Sequence, residues 1–170
     1  MTALFFVASA VAVLATVMAI TRANAVHALL YFVVSLFAAA FLFLLLGAPF
    51  VAALEVIVYA GAIIVLFLFA VMLLNLGHQA VAEEKLRLKA GMWTGPAVLA
   101  AVLAVELAWV FSRGSTAMTG ATKVGPREVG LTLFGPYLLG VEIASMLLLA
   151  GLVGAYHLGR KDPPERGDAR

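Results

Sequence analysis

The stretch LEVIVYAGAIIVLFLFAVMLLN, Leu54 to Asn75, decides the reading of this chain. It is uncharged and apolar except for one carboxylate, Glu55. Its length suits a membrane-spanning helix, which needs about 20 residues to cross about 30 Å of hydrocarbon. At its centre Tyr59-Ala60-Gly61-Ala62 drops side-chain bulk beside a phenol. A glycine that removes bulk next to a polar ring marks a place where a helix can bend, bulge or pack closely. A lone acid, a tyrosine one turn on and a soft backbone point suit a gate or relay better than a plain anchor.

The same character extends along the chain. Hydrophobic residues make up 65% and charged residues 12%, whereas in an ordinary soluble domain about a quarter are charged. Mean hydropathy is +1.12. This is the composition of an integral membrane protein. The net charge of +2 carries no nucleic-acid signal, because the basic residues lie in the loops between apolar spans. There is no cysteine, which excludes disulfides, thiolate zinc sites and iron–sulfur ligation by this chain. His27, His78 and His157 lie far apart, without ligand spacing. The first charged side chain, Arg22, follows the first apolar segment instead of preceding it. A secretory signal has the reverse order, so the first span is expected to stay in the mature protein.

The pattern predicts an all-α, polytopic fold with five transmembrane helices over about 3–20, 26–46, 51–74, 93–111 and 133–158. Residues 1–158 then form a single membrane domain and 159–170 a charged cytoplasmic tail. Gly47-Ala48-Pro49 reads as a tight uncharged turn. Pro49, Pro96 and Pro136 fall near helix starts, where proline's missing N–H costs least. Asn75 and Gly77 end the third span. Glu83 and Arg87, at i,i+4, suggest a short surface helix between His78 and Gly91. The segment from Ser112 to Gly130 reads as irregular and the tail from Asp162 as disordered.

Five spans place the termini on opposite sides. Arg22, Lys85, Arg87, Lys89, Arg160, Lys161, Arg166 and Arg170 share the side of the C-terminus, and Arg113, Lys123 and Arg127 share that of the N-terminus. Excess Lys and Arg in short loops marks the cytoplasm. The N-terminus is therefore expected outside and the C-terminus inside. The chain shows no internal repeat, which weakens the case for a secondary transporter. Ala8, Ala12, Ala15 and Ala19 form a small-residue stripe; Ser35 and Ala39, Gly140 and Ala144, and Gly151 and Ala155 are shorter versions. Such stripes let helices approach closely in lipid, within one chain or between subunits.

Three acids lie inside spans. At about 1.5 Å per residue, Glu55 sits about 8 Å from the outer end of its helix, Glu106 about 10 Å, and Glu142 about 14 Å, near the midplane. Acids at such depth are costly, and they usually face protein or water. Glu55, one turn from Tyr59, has the best functional case, with a structural pair as the alternative. Glu142 suits either a titrating role or a neutral interhelical hydrogen bond. Glu106 is near enough to Arg113 and the outer interface to be a snorkelling or structural residue. His27 reads as a cap or interface contact; Trp93, Trp109, Tyr156 and His157 read as interfacial anchors; and the Phe and Met residues of the third span read as packing. There is no nucleophile–base–acid set, phosphate loop or dinucleotide fingerprint. The chain alone is expected to catalyse nothing and to bind no cofactor or metal.

Three blocks of this sequence resemble the subunit J family of bacterial NADH-quinone oxidoreductase, respiratory complex I, relatives of mitochondrial NADH dehydrogenase subunit 6. They are Asn24 to Tyr31, Leu54 to Asn75 with its Tyr59-Ala60-Gly61-Ala62 centre, and Gly130 to His157. Ala25 departs from the pattern, since the family usually has proline after the asparagine. The resemblance implies a non-catalytic membrane-arm subunit of a proton-translocating enzyme in the bacterial inner membrane, beside subunits A, H and K. Flavin, iron–sulfur clusters, NADH and quinone then belong to the other subunits. The resemblance also implies a third span that switches between a regular and a π-bulged helix; Tyr59 and Gly61 match positions in it. Glu55, Tyr59, Gly61, Val65 and Glu142 are the candidates for gating or a proton path. A purely structural or assembly subunit, or an independent small transporter, remains the alternative.

Overall fold

The computed structural model describes residues 2–74, 91–114 and 123–160. The helices are α1 (Thr2–Thr21), α2 (Ala25–Leu45), α3 (Pro49–Leu54), a π-helical segment (Glu55–Ile63), α4 (Ile64–Leu74), α5 (Gly91–Ser112), α6 (Pro126–Leu133) and α7 (Leu138–Gly159). Segments α3, π and α4 run on as one long span. Among the described residues, five helical stretches are long and apolar enough to cross a membrane. Asn75, Gly77, the 78–90 loop and the 161–170 tail lie outside the described residues.

Local chemistry sets the helix ends. Asn24 caps α2, its Oδ1 accepting the His27 backbone N–H at 3.0 Å. At the other end of α2, Gly47 has a φ of 86°. Its N–H donates to the Leu44 carbonyl at 3.1 Å, and that of Ala48 donates to Phe43 at 2.9 Å. This is a Schellman motif, and its left-handed residue is the glycine that tolerates that conformation best. Pro49 then opens α3, where it has no hydrogen-bond donor to lose. The Gly47 carbonyl accepts the Val124 N–H at 2.8 Å, tying the later chain to this turn.

The chain divides into two compact units, residues 1–125 and 126–170. In the first, α1 packs along α2, and α5 lies against both. Ala8, Val11 and Ala15 of α1 meet Val34, Ala38, Phe41 and Leu45 of α2 and Leu103 and Val110 of α5 in one buried cluster. The alanine stripe of α1 thus finds its partner within the chain. Ala8, Ala15 and Ala38 are fully buried, and the small side chains let the backbones close enough for Thr16 Oγ1 and Ser35 Oγ to hydrogen-bond at 2.7 Å. The third span packs against α2 through α3 and the π segment.

Two expectations need correction. Pro96 is not in the first turn of its helix, because α5 begins at Gly91 and carries the proline in its interior. The segment ahead of the fifth span is not irregular throughout: α6 occupies Pro126–Leu133, and α7 starts at Leu138, not Leu133. Gly135 and Pro136 explain the break. Proline disfavours helical backbone before it and lacks a donor. A Cβ on Gly135 would lie 2.6 Å from the Leu131 carbonyl oxygen, so the turn needs glycine there. The Phe134 N–H still returns to Gly130 at 2.9 Å, and that of Leu138 bonds to Gly135 at 3.2 Å.

Candidate functional site: a π-helical segment in the third span

Six of the side chains around the centre of the third span are β-branched: Val56, Ile57, Val58, Ile63, Ile64 and Val65. Such side chains lose χ1 freedom in an α-helix and weaken its hold. Between the two groups sit Ala60, Gly61 and Ala62, with little bulk. The backbone takes up π-helical geometry from Glu55 to Ile63 and returns to α at Ile64, whose N–H reaches back five residues to the Tyr59 carbonyl. Nine residues is long for a geometry that mostly occurs as single-turn bulges, often at functional sites.

The widened turn crowds the backbone on one side. A Cβ on Gly61 would come within 3.3 Å of the Val56 carbonyl oxygen, five residues back. Gly61 therefore fits the π register with least strain. Ala52 and Ile64 are buried, with Val56 and Ala60 partly so. Tyr59 is 47% and Val65 44% exposed, Gly61 is exposed, and Glu55 is intermediate. An apolar cavity of about 480 Å³ adjoins the segment, lined by Val34 and Phe41 of α2, Ala52 and Val56 of the third span, and Leu103 and Leu107 of α5. Close-packed interiors resist a change of register; free volume beside Val56 relaxes that constraint.

Four of the five candidates lie along this one span: Glu55, Tyr59 and Gly61 on the π segment, and Val65 at the start of α4. Glu142 lies in the second compact unit, exposed on α7, where its carbonyl accepts the Ser145 hydroxyl at 2.7 Å. Phe67, Phe69 and Met72 are exposed, so the packing expected of them is not seen among the described residues.

Two groupings escaped the sequence reading. Tyr31 is buried; its ring centroid is 5.0 Å from that of His27, and the Arg22 guanidinium lies 5.5 Å above it. The Tyr31 hydroxyl presses on Gly95 so closely that no Cβ fits there. The i,i+4 spacing of His27 and Tyr31 was the available signal. Glu106 is the second. It does not snorkel toward Arg113, whose guanidinium instead lies 4.1 Å above the Trp109 ring. Glu106 is 6% exposed, and neither carboxylate oxygen has a hydrogen-bond partner among the described residues.

A family model described as NADH-ubiquinone/plastoquinone oxidoreductase chain 6 matches residues 15–158. The chain belongs to that family. It is 58% identical to NADH-quinone oxidoreductase subunit J of Pseudomonas aeruginosa, over 93% of this chain and 96% of that one. Identity to subunit J of Escherichia coli K12 is 49%, over 93% of this chain and 86% of that one. Identity to subunit J from the Buchnera symbiont of Schizaphis graminum is 41%, over 92% and 96%. The matched region takes in α2, the whole third span, α5 and most of α7, so the π segment lies well inside it. Among the described residues, no group of His, Cys, Asp and Glu side chains is arranged to hold a metal.

Proposed function

We propose that this chain is a membrane-arm subunit of proton-translocating NADH-quinone oxidoreductase, and that its third span couples quinone reduction to proton movement by passing between π and α register. The π segment at Glu55–Ile63 is the observation that supports this reading. A π segment set between two α-helical stretches, with free space beside it and a half-exposed phenol on it, suits a bistable element. A coupling device must contain one. Conversion to α register would rotate Tyr59 and Val65 relative to Glu55 and reposition the polar groups along the span. Glu142 on α7 is the further carboxylate of the path. Redox chemistry, with its flavin, iron–sulfur clusters, NADH and quinone, resides in other subunits. The exposed side of the third span is the surface for membrane-arm neighbours of the A, H and K type. The chain lies in the bacterial inner membrane with its N-terminus outside and its C-terminus in the cytoplasm.

Gly61→Leu tests this reading. The added side chain crowds the Val56 carbonyl in π register, and a bias of about 1.4 kcal/mol shifts a two-state equilibrium tenfold. Quinone-linked NADH oxidation and proton pumping should fall together, while NADH oxidation with an artificial acceptor persists, in membranes with unchanged amounts of complex. Normal coupled turnover in the assembled variant would reduce Gly61 to a packing residue. Failure to assemble would instead favour a structural role for this turn.

A further inference from the structure

Glu106 stands in the last two turns of α5, on the face that α5 turns toward α1 and α2. Leu103 and Val110, three residues before it and four after, both belong to the buried cluster, and Leu99 and Val102 pack against that cluster. The acid shares this face and is buried to the same degree. Among the described residues, both of its oxygens lack a hydrogen-bond partner.

No counter-charge lies within these helices. From Thr2 to Thr21, α1 has no ionisable side chain. In α2 the only ones are His27 and Tyr31, in its first two turns. Glu106 lies in the last two turns of α5, and α5 contains no other ionisable group. Arg113 beyond it is engaged on Trp109. Chain direction separates the two regions further, because α2 and α5 both cross from the Arg22 side and His27 and Glu106 sit at opposite ends of that crossing.

An isolated ionised carboxylate in such surroundings is prohibitively costly, and a bare carboxylic acid still loses its hydrogen bonds to water. The carboxyl group therefore needs both a proton and a hydrogen-bonding neighbour. The hydroxyls of Ser9, Thr16 and Ser35 on α1 and α2 bond elsewhere, Ser9 to the Phe5 carbonyl and Thr16 with Ser35. Buried water commonly meets this need by bridging otherwise unsatisfied polar groups.

We propose that Glu106 is a proton-holding site in the α1–α2–α5 core, its carboxylic acid group hydrogen-bonded to internal water. The site is separate from the line of candidates on the third span. Leu103, which both packs in the core and lines the cavity beside Val56, stands between the two.

The test uses the assembled complex, with infrared difference spectra recorded as H2O is exchanged for D2O. Parent complex minus the Glu106→Gln complex should show a carboxylic C=O band that moves to lower frequency on exchange. Glu106→Asp should retain such a band at an altered frequency, and it serves as the carboxyl-bearing control if Glu106→Gln lowers complex abundance. Carboxylate bands in place of the carboxylic band would overturn the proposal, because the acid would then be ionised and paired with a cation from another subunit. A carboxylic band that never exchanges would overturn it equally, since the site would be dry.

Discussion

Gly95 and Tyr31 show how one missing methyl group holds two spans together. The Tyr31 hydroxyl occupies the place where a Cβ on residue 95 would be, and its ring is fixed between His27 and Arg22. It cannot swing aside without losing both contacts. Gly95→Ala should therefore behave as overpacking, at about 1–3 kcal/mol, seen as lower thermal stability of the detergent-extracted complex. Tyr31→Phe in the same chain should recover part of the loss, since the hydroxyl is the worst clash but the ring carbon bearing it is only 3.0 Å away. A double-mutant cycle with no coupling would show that the two positions do not touch. Glu142 poses a different question at the same scale. If it acts as a neutral hydrogen-bond donor, Glu142→Gln should preserve proton pumping better than Glu142→Ala, measured in complexes of equal abundance. Equal loss in both variants would assign it a titrating role. Composition made all three acids visible as candidates. It did not show which one is buried without a side-chain or backbone partner among the described residues, because burial of Glu106 depends on which face of α5 meets α1 and α2.

At the scale of elements, the turn between α2 and α3 and the centre of the third span were both legible, for related reasons. Each is marked by glycine where bulk or chirality would obstruct the backbone. Gly47 is the stricter case. A non-glycine residue held in left-handed geometry costs about 1–2 kcal/mol. Gly47→Ala should lower the complex's melting temperature, and Gly47→Asn should lower it less, because asparagine tolerates that region better. Equal melting for all three would mean that the motif relaxes at no cost. The start of the fifth span was misread for the opposite reason. Hydropathy rises before Leu138, yet Gly135 and Pro136 interrupt the helix, and α6 forms from a segment whose Gly and Thr content suggested irregular chain. A single proline read as a helix start was in fact a turn residue separating two helices. The extent of the π segment was likewise beyond composition. Gly61 marks the soft point, but a changed register running over nine residues is a property of the folded backbone that one residue does not reveal.

At the scale of the whole molecule, the number of crossings and the positions of the basic residues combine into a statement about sidedness. Arg22 follows the end of α1, Arg113 follows the end of α5, and Arg160 follows the end of α7. Five crossings would put Arg22 and Arg160 on one side and Arg113 on the other. The side with Arg22 and Arg160 also carries most of the remaining Lys and Arg, so it should be cytoplasmic. The chain's lack of cysteine makes this directly measurable. Arg113→Cys and Arg160→Cys each introduce one thiol into a chain that has no other, and both sites are solvent-exposed. A membrane-impermeant maleimide added to intact cells with a permeable outer envelope should label Arg113→Cys directly and Arg160→Cys only after the inner membrane is opened. Labelling is read on this chain alone after the subunits are separated. The reverse pattern would invert the topology, and with it the side from which Glu55 and Tyr59 meet water. Orientation therefore decides more than where the tail lies. It fixes whether the acid end of the third span faces the proton-releasing or the proton-uptake side, which any coupling role for the π segment must satisfy.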